Sequence, residues 1–450
     1  MRLAIIGAGY VGLVTGASAA VAGHHVTLVE RSAERRASLE GGRVPVAEPG
    51  LQEAFDRARE RIEILDAIDR IEAPDLVLVA VGTPVAEDGT PDDSQLVDAL
   101  AALRRHPSLD VSIRSTLSPG TSVRLPRLLD RPDGSRLSTN PEFLRQGHAM
   151  DDFARPARIV IGRFPETSLE HLAKLDALYA GVPGPRLVVD APAAELIKNV
   201  ANAFLALKLS FVNEVASLSE EYDVDVEDVL AGIGLDPRIG TTYMRPGLGF
   251  GGSCLPKELQ ILADAGRQRG LPMHIARAAA LVNHEQQDRF ARRLLNEIGG
   301  PPARIGVLGL TFKAHTDDLR GSPALSVVRR LLTAGHEVIG YDPAASDDDV
   351  ATAVPGLVRA GRAEDVFQGA DAVAIATDWP EFRELDLPAV RRTMRGTLLY
   401  DGRNLLDPAA ATAAGFAYRR IGKADADARP SAPDANGAVA AKAVGATGAG

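Results

Sequence analysis

One cysteine sits in a setting that favours reaction. Phe250-Gly251-Gly252-Ser253-Cys254-Leu255-Pro256-Lys257-Glu258 places the chain's single thiol behind two glycines that let backbone approach a ligand, and just before a proline suited to a helix's first turn. A helix N-terminus and the adjacent lysine both favour the thiolate, the nucleophilic form. Structural cysteines more often lie in apolar runs, so a covalent step is the expected chemistry. Asn140-Pro141-Glu142-Phe143-Leu144-Arg145-Gln146 supplies one carboxylate, Glu142. It would act as a general base if burial raised its pKa towards neutrality; a solvated surface glutamate is the plain alternative. Further on, Glu195, Lys198, Asn199 and Asn202 fall three and four apart on a helical stretch, so Lys198 and Asn202 share a face. That face either lines a crevice or is merely solvated, with Ala203, Phe204, Leu207 and Phe211 on the buried side.

A second kind of chemistry is written at the N-terminus. Arg2 to Ile6 reads as a strand, Gly7-Ala8-Gly9-Tyr10-Val11-Gly12 as a tight turn, and the Ala/Val-rich run to about Gly23 as a helix. Three glycines in that pattern serve the turn, the approach of a pyrophosphate, and helix-to-strand packing. The strand His25 to Val29 ends at Glu30, where a carboxylate can accept both ribose hydroxyls and repels a 2′-phosphate. NAD is therefore expected rather than NADP. Arg35 could neutralise the local charge or stay in solvent. Thr83, in Val81-Gly82-Thr83-Pro84, and Thr116, in Arg114-Ser115-Thr116, close buried strands where ligands meet an open parallel sheet, or else cap turns.

The elements that must position these residues form three blocks. β/α alternation, including Asp75 to Val81 and Val111 to Ser115, predicts a doubly wound parallel sheet over 1–190. A long helical stretch from about Ala193 to Tyr222 opens an all-helical middle, 191–298, broken by the glycine-rich segment Arg245 to Cys254. After Gly299-Gly300-Pro301-Pro302 the chain restarts: Arg304-Ile305-Gly306-Val307-Leu308-Gly309 echoes Arg2 to Gly7, and Ala334 to Asp342 echoes Ala22 to Glu30. The second copy, 299–423, carries about ten extra residues, Ala314 to Pro323, and has Thr311 and Lys313 near the glycine positions of the first. It is expected to bind something other than a pyrophosphate at its switch point; Lys313, Asp317, Asp318 and Arg320 crowd the insertion. The fold class is thus α/β, two Rossmann-like domains joined by a helical one. Residues 424–450, rich in Ala, Gly, Asp and Pro, read as a disordered tail.

Composition narrows the partners. The 450 residues hold 60 acidic and 50 basic side chains, a formal charge of -10, with no dense basic block, so nucleic acid is not expected. No apolar run approaches the ~20 residues of a membrane span. No Cys/His set has metal-ligand spacing. One cysteine and no leader-like start predict the reducing cytoplasm.

Taken together, the glycine turn, Asn-Pro-Glu-Phe-Leu-Arg, Gly-Gly-Ser-Cys-Leu-Pro-Lys and Thr-Phe-Lys-x-x-Thr-Asp-Asp-x-Arg-x-Ser-Pro resemble the UDP-glucose/GDP-mannose 6-dehydrogenase family over residues 1–422. That resemblance implies oxidation of the C6 alcohol of a nucleotide-linked hexose to the acid, in two hydride transfers to NAD, through a Cys254 thiohemiacetal and thioester. It makes Lys198 and Asn202 the oxyanion stabilisers, Glu142 the base acting through solvent, and Thr116 an organiser of that water. Gly7, Gly9, Tyr10, Val11, Gly12, Glu30, Arg35, Thr83, Thr116, Gln146, Lys257 and Arg320 fall to the cofactor. Glu142, Phe143, Leu144, Arg145, Lys198, Asn202, Arg238, Tyr243, Gly251 and Lys313 fall to the nucleotide sugar.

A homodimer through the helical middle is implied as well. Arg238-Ile239-Gly240, sixteen residues before Cys254, matches the UDP-glucose branch, where this arginine reaches the neighbouring subunit's sugar. Tyr243-Met244-Arg245-Pro246-Gly247 looks instead like the GDP-mannose branch; UDP-glucose is favoured. Two positions depart from the family: Gln146 replaces a glutamate and Glu258 an aspartate. Hydrolysis of the thioester is expected to slow, or product to leave as the aldehyde, or the chain to bind nucleotide sugar without catalysis.

Overall fold

The computed structural model describes residues 1–85, 90–131, 133–300 and 302–424; the expected tail therefore lies, apart from Ala424, outside the described residues. The N-terminal sheet has eight strands: β1 (Arg2–Ile6), β2 (His25–Val29), β3 (Ile62–Leu65), β4 (Leu76–Val79), β5 (Val111–Ile113), β6 (Leu137–Thr139), β7 (Ile159–Arg163) and β8 (Arg186–Asp190). Their order is β3-β2-β1-β4-β5-β6-β7-β8. The doubly wound arrangement is as expected, with one correction. β7 runs antiparallel to β6, so the sheet is not wholly parallel. The helix between them, Ala149–Ala154, has six residues, or about 9 Å, too short to carry the chain back to the opposite end of the sheet for a parallel return.

The 31-residue helix Ala191–Glu221 begins directly after β8. It packs with Leu255–Arg267 and His274–Ile298 through small residues, Ala203, Ala206, Ala276 and Ala279, together with Phe250 and Leu259. Alanines at the contact let the helix axes come close, which brings polar residues of neighbouring helices within reach of one another. Phe204 and Phe211, expected in this core, are 59% and 51% exposed on the opposite face.

The second sheet comprises β9 (Arg304–Leu308), β10 (Glu337–Tyr341), β11 (Val358–Arg359), β12 (Ala372–Ile375), β13 (Leu398–Asp401) and β14 (Ala417–Arg420), ordered β11-β10-β9-β12-β13-β14 and parallel throughout. One core runs from its helix-covered face (Val307, Leu325, Val328) into the helical middle (Val212, Leu230, Phe290). The helices and the C-terminal sheet are thus one packing unit. Among the described residues no helix is long and apolar enough to cross a membrane.

A buried polar pin joins β5 and β6 of the first sheet. His171 contacts Asp110 Oδ1 at 2.8 Å through Nδ1 and Ser138 Oγ at 2.8 Å through Nε2, and Ser138 donates to Ser112 Oγ at 2.9 Å. Ser-His-Asp in this order has the geometry of a hydrolytic triad, but Ser138 and His171 are fully buried, so no substrate reaches the hydroxyl. Burial would raise the Asp110 carboxyl; the hydrogen bonds from His171 and Lys174 prevail and hold it at about 2. A depressed carboxyl stabilises the fold above its unfolded pKa and loses that contribution as pH falls through its folded one. Asp110→Asn is therefore expected to cost about 2 kcal/mol at pH 7, with the gap to wild type closing between pH 4 and 2 in urea unfolding. A gap independent of pH over that window would refute the linkage.

Candidate active site

The glycine turn divides its labour as its pattern predicts. Gly7 has φ +97° and a Cβ there would lie 2.7 Å from the Ala80 carbonyl oxygen, while a Cβ on Gly12 would overlap the Gly7 carbonyl. Gly9, which caps the helix Tyr10–Val21, faces open space, with nothing within 4 Å of where its Cβ would be. That opening, before uncapped helical N–H groups, suits a pyrophosphate. Glu30 follows β2, its Oε1 accepting the Ser32 N–H at 2.9 Å; Arg35 lies 3.5 Å from its Oε2 and donates to Ala8 O at 2.8 Å. Arg35 thus ties the ribose-side carboxylate to the turn. Tyr10 and Val11 form the first helical turn, and Thr83 lies beyond β4. These residues fit a bound dinucleotide.

At the opposite side of the crevice, Cys254 caps the helix Leu255–Arg267 and is open to solvent. The long helix turns Glu195, Lys198 and Asn199 inward, so the solvated-face alternative falls: Lys198 is 3% exposed. Its Nζ donates to Glu142 Oε1 at 2.9 Å and stands 4.0 Å from Glu258 Oε1. Burial alone would lower the Lys198 pKa, but the carboxylates of Glu142 and Glu258 overcome it and the net shift is upward. Glu142 is likewise buried, which would raise its pKa; Lys198, the Leu144 N–H at 2.6 Å and Arg114 outweigh that and depress it. The expectation of a Glu142 raised towards neutrality is therefore corrected: a paired ammonium at hydrogen-bond distance wins over desolvation.

Glu258 is the reverse case. It is fully buried, and among the described residues neither carboxylate oxygen has a partner in full hydrogen-bond geometry. Desolvation raises its pKa, with Lys198, Lys257 and the nearby Asn202 amide opposing. The thiol is also shifted up: burial leads, Lys198 opposes, and Glu142 and Glu258 add to the rise. This corrects the expectation that helix N-terminus and lysine make a thiolate, because desolvation of the sulfur, with two neighbouring carboxylates adding to it, counters them. The lysine differs too. Lys257 Nζ turns away to donate to the Thr83 carbonyl at 3.1 Å, and Lys198 is the cation acting on the sulfur.

The C-terminal insertion closes over this centre. A Cβ on Gly251 would lie 2.2 Å from the Gly321 carbonyl, and one on Gly252, at φ +81°, would meet the Phe312 ring at 2.8 Å. The two glycines therefore serve close packing against the insertion. Lys313, 5.6 Å from the Phe312 ring centroid, has its pKa lowered by burial and supported by Glu48. Arg320 forms a two-pronged pair with Asp318, at 2.8 and 2.7 Å, and Asp318 also accepts from Gln146 Nε2 at 3.2 Å. Tyr243, at φ +60°, has its pKa raised chiefly by burial and also by Asp152 and Cys254, against Arg145 and Lys198. Arg145 pairs with Asp152 at 2.6 Å, and the Phe143 ring lies under the Arg158 guanidinium at 3.8 Å and 5.5 Å from Lys198 Nζ. In the second sheet the turn equivalent to the glycine motif is already filled. Asp342 Oδ2 accepts the Leu310 and Thr311 N–H groups at 2.7 and 2.9 Å, where a pyrophosphate would otherwise rest.

The NAD binding domain of the UDP-glucose/GDP-mannose dehydrogenase family matches residues 1–182, its central domain 192–285 and its UDP binding domain 306–408. The UDP-glucose 6-dehydrogenase of Pseudomonas aeruginosa is 38% identical, over 94% of this chain and 98% of its own; that of Rhizobium meliloti is 37% identical, over 94% and 100%. A UDP-glucose dehydrogenase structure from Pyrobaculum islandicum superposes with a TM-score of 0.85 at 37% identity, covering 94% of this chain and 98% of that one. The chain belongs to the UDP-glucose/GDP-mannose dehydrogenase family. In this family member the site gathers Glu142, Phe143, Leu144, Lys198, Asn202, Cys254 and Glu258. Thr116 lies half-buried beyond β5, and Arg238 is not brought in. At 87% side-chain exposure Arg238 pairs with Asp236, at 2.6 Å.

Sequence reading missed three groups in this dehydrogenase. Glu48 and Arg158 lie in stretches without motif or periodicity. Arg403, whose hydrogen bonds run to the Ala376 and Phe312 carbonyls at 2.8 and 3.4 Å, is given no role by its residue type or spacing. The charge balance predicts opposite shifts from two variants. Lys198→Met removes the cation and should move the pH dependence of Cys254 alkylation by iodoacetamide to higher pH. Glu258→Gln removes an anion and should move it lower. Equal or absent shifts would show that the thiol is not governed by this pair.

Proposed function

We propose that the chain is an NAD-dependent UDP-glucose 6-dehydrogenase that oxidises the C6 alcohol to the carboxylate. The observation that carries the reading is the cluster in which buried Lys198 stands between Glu142 and Glu258 beside the accessible Cys254. NAD, when bound, supplies the hydride acceptor twice. The Gly9 opening and Glu30 would hold it, with Tyr10, Val11, Thr83, Gln146, Lys257 and Arg320 around it. The C6 hydroxyl gives up its proton towards Glu142 as the aldehyde forms. The Cys254 thiol then adds to the aldehyde carbon, its proton passing to solvent, and Lys198 and Asn202 hold the resulting oxyanion. Loss of the second hydride leaves a thioester. Water, activated by Glu142 and ordered with Thr116, breaks the carbon–sulfur bond and frees the acid and the thiol. Glu142 is a weak base while Lys198 holds it; as Lys198 turns to a developing oxyanion, burial raises Glu142 and its basicity with it.

On the substrate side, Phe143, Leu144, Arg145, Tyr243, Gly251 and Lys313 would line the nucleotide-sugar cleft, the lysine facing a phosphate. The match to a UDP binding domain and the names of the relatives support UDP-glucose over GDP-mannose. Counting NADH per sugar consumed tests the reading: two are expected from UDP-glucose and few from GDP-mannose. One NADH per sugar would mean aldehyde release at a site altered by Gln146 and Glu258, and none would leave a binding protein. Cys254→Ser should lower full oxidation by at least about 10³-fold; an unchanged yield would remove the covalent step.

The division into 1–190, 191–298 and 299–423 is supported by the end of the first sheet at Asp190, the helices to Ile298 and the second sheet from Arg304. A homodimer is the proposed assembly. Leu196, Val200, Phe204, Phe211 and Leu218 are exposed on the long helix at spacings of four and seven, one continuous apolar face. Arg238 would reach the partner's sugar from beside it. The cytoplasm is the proposed compartment, since the one cysteine is a free thiol. Phe204→Glu with Phe211→Glu is expected to give monomers in sedimentation and to reduce activity. Dimers that persist in that double variant would move the interface elsewhere.

A further inference from the structure

Glu48 lies outside every motif and outside the chemistry above, yet three parts of the molecule converge on it. It sits in the loop after the helix Ala33–Glu40, between Pro45 and Pro49, and is 8% exposed. The Tyr10 hydroxyl, from the first turn behind the cofactor opening, donates to Oε2. The Gly147 N–H donates to the same oxygen at 2.6 Å, and the Ala149 N–H donates to Oε1 at 2.7 Å. Gly147 directly follows the Glu142 to Gln146 segment. It is also the point where the N-terminal fold touches the C-terminal insertion: its φ is +79°, and a Cβ there would lie 2.9 Å from both Cβ and O of His315. One residue earlier, Gln146 donates to Asp318 of the same insertion.

A side chain that only sealed a turn would need one of these bonds. Here a single carboxylate fixes the cofactor turn to the loop that carries Glu142 and to its junction with the nucleotide-binding insertion. Bonds from a phenol and two amides to one ionised group are charge-assisted and directional, so displacing any one shifts the group that the other two hold. We propose that Glu48 is a positioning residue that couples the two ligand sites: closing the C-terminal insertion on a nucleotide sugar sets the loop at Gly147, and Glu48 passes that setting to the dinucleotide turn through Tyr10. Each ligand then raises the affinity for the other by the same factor. The charge of Glu48 also supports Lys313, which places the carboxylate within electrostatic reach of the nucleotide side. This inference rests on the reading of the two sites given under the proposed function.

NADH fluorescence titrations with and without UDP-glucose test it, because NADH and UDP-glucose cannot react with each other. Wild type should bind NADH several-fold more tightly when UDP-glucose is present. In Tyr10→Phe, which deletes one hydroxyl and leaves both amide bonds to Glu48, the ratio of the two affinities should fall to about one. Glu48→Gln, whose amide cannot accept from three donors, should do the same. A purely structural role would lower the melting temperature and leave the ratio intact, and that result would overturn the proposal. So would a wild-type ratio of one. Failure of wild type to bind NADH at all would instead refute the assignment of the cofactor site.

Discussion

An ammonium group buried between two carboxylates is the constraint on which the centre of this protein depends. Removing Lys198 from water is costly unless its charge is answered at close range. Glu142, from the loop after β6, answers it at 2.9 Å, and Glu258, from the cysteine helix, at 4.0 Å. The N-terminal fold, the long helix and the helix that begins at Cys254 are thereby held in one arrangement. The same three charges act on the thiol, which desolvation raises first: one lowers its pKa and two raise it further. Glu258, whose oxygens lack a partner in full hydrogen-bond geometry among the described residues, is answered chiefly by the charges of Lys198 and Lys257.

Around this centre the fold uses one topology for two purposes. Both sheets place six strands in the same order, yet the first leaves the space before its glycine turn open and the second fills the equivalent turn with its own Asp342. An intramolecular carboxylate excludes a pyrophosphate from those N–H groups. The ten-residue insertion that follows, with Phe312 just before it, then becomes the working surface, bringing Phe312, Arg320 and Gly321 against the glycines before Cys254. The apolar core shared between the second sheet and the helical middle keeps that surface in register with the thiol.

The strand-turn-helix at the N-terminus, the repeat at Gly309 and the helix that starts at Cys254 were all legible from residue types and spacing. Hydrophobic period and glycine placement are local properties. They report the elements, and with Glu30 they report the kind of cofactor. The long helix was legible in extent, but its inward face was not, because Phe204 and Lys198 exchange the places that hydrophobicity alone would give them. A lysine answered by two acids can be buried, and a phenylalanine can face outward where another surface covers it.

Protonation belonged wholly to the tertiary structure. Glu142 is depressed rather than raised, Glu258 is raised, and Lys257 turns to Thr83 while Lys198 takes its place beside the sulfur. Each outcome depends on charges more than fifty positions apart in the chain being brought within a few ångströms, where their interaction competes with desolvation. Sequence by itself determined which groups this protein would use: one thiol, a dinucleotide turn with an acidic ribose partner, and a second fold that had lost its glycines. Only the tertiary structure decided their charge states and which side chain links the two ligand sites, because electrostatic energy depends on separation and burial rather than on order along the chain.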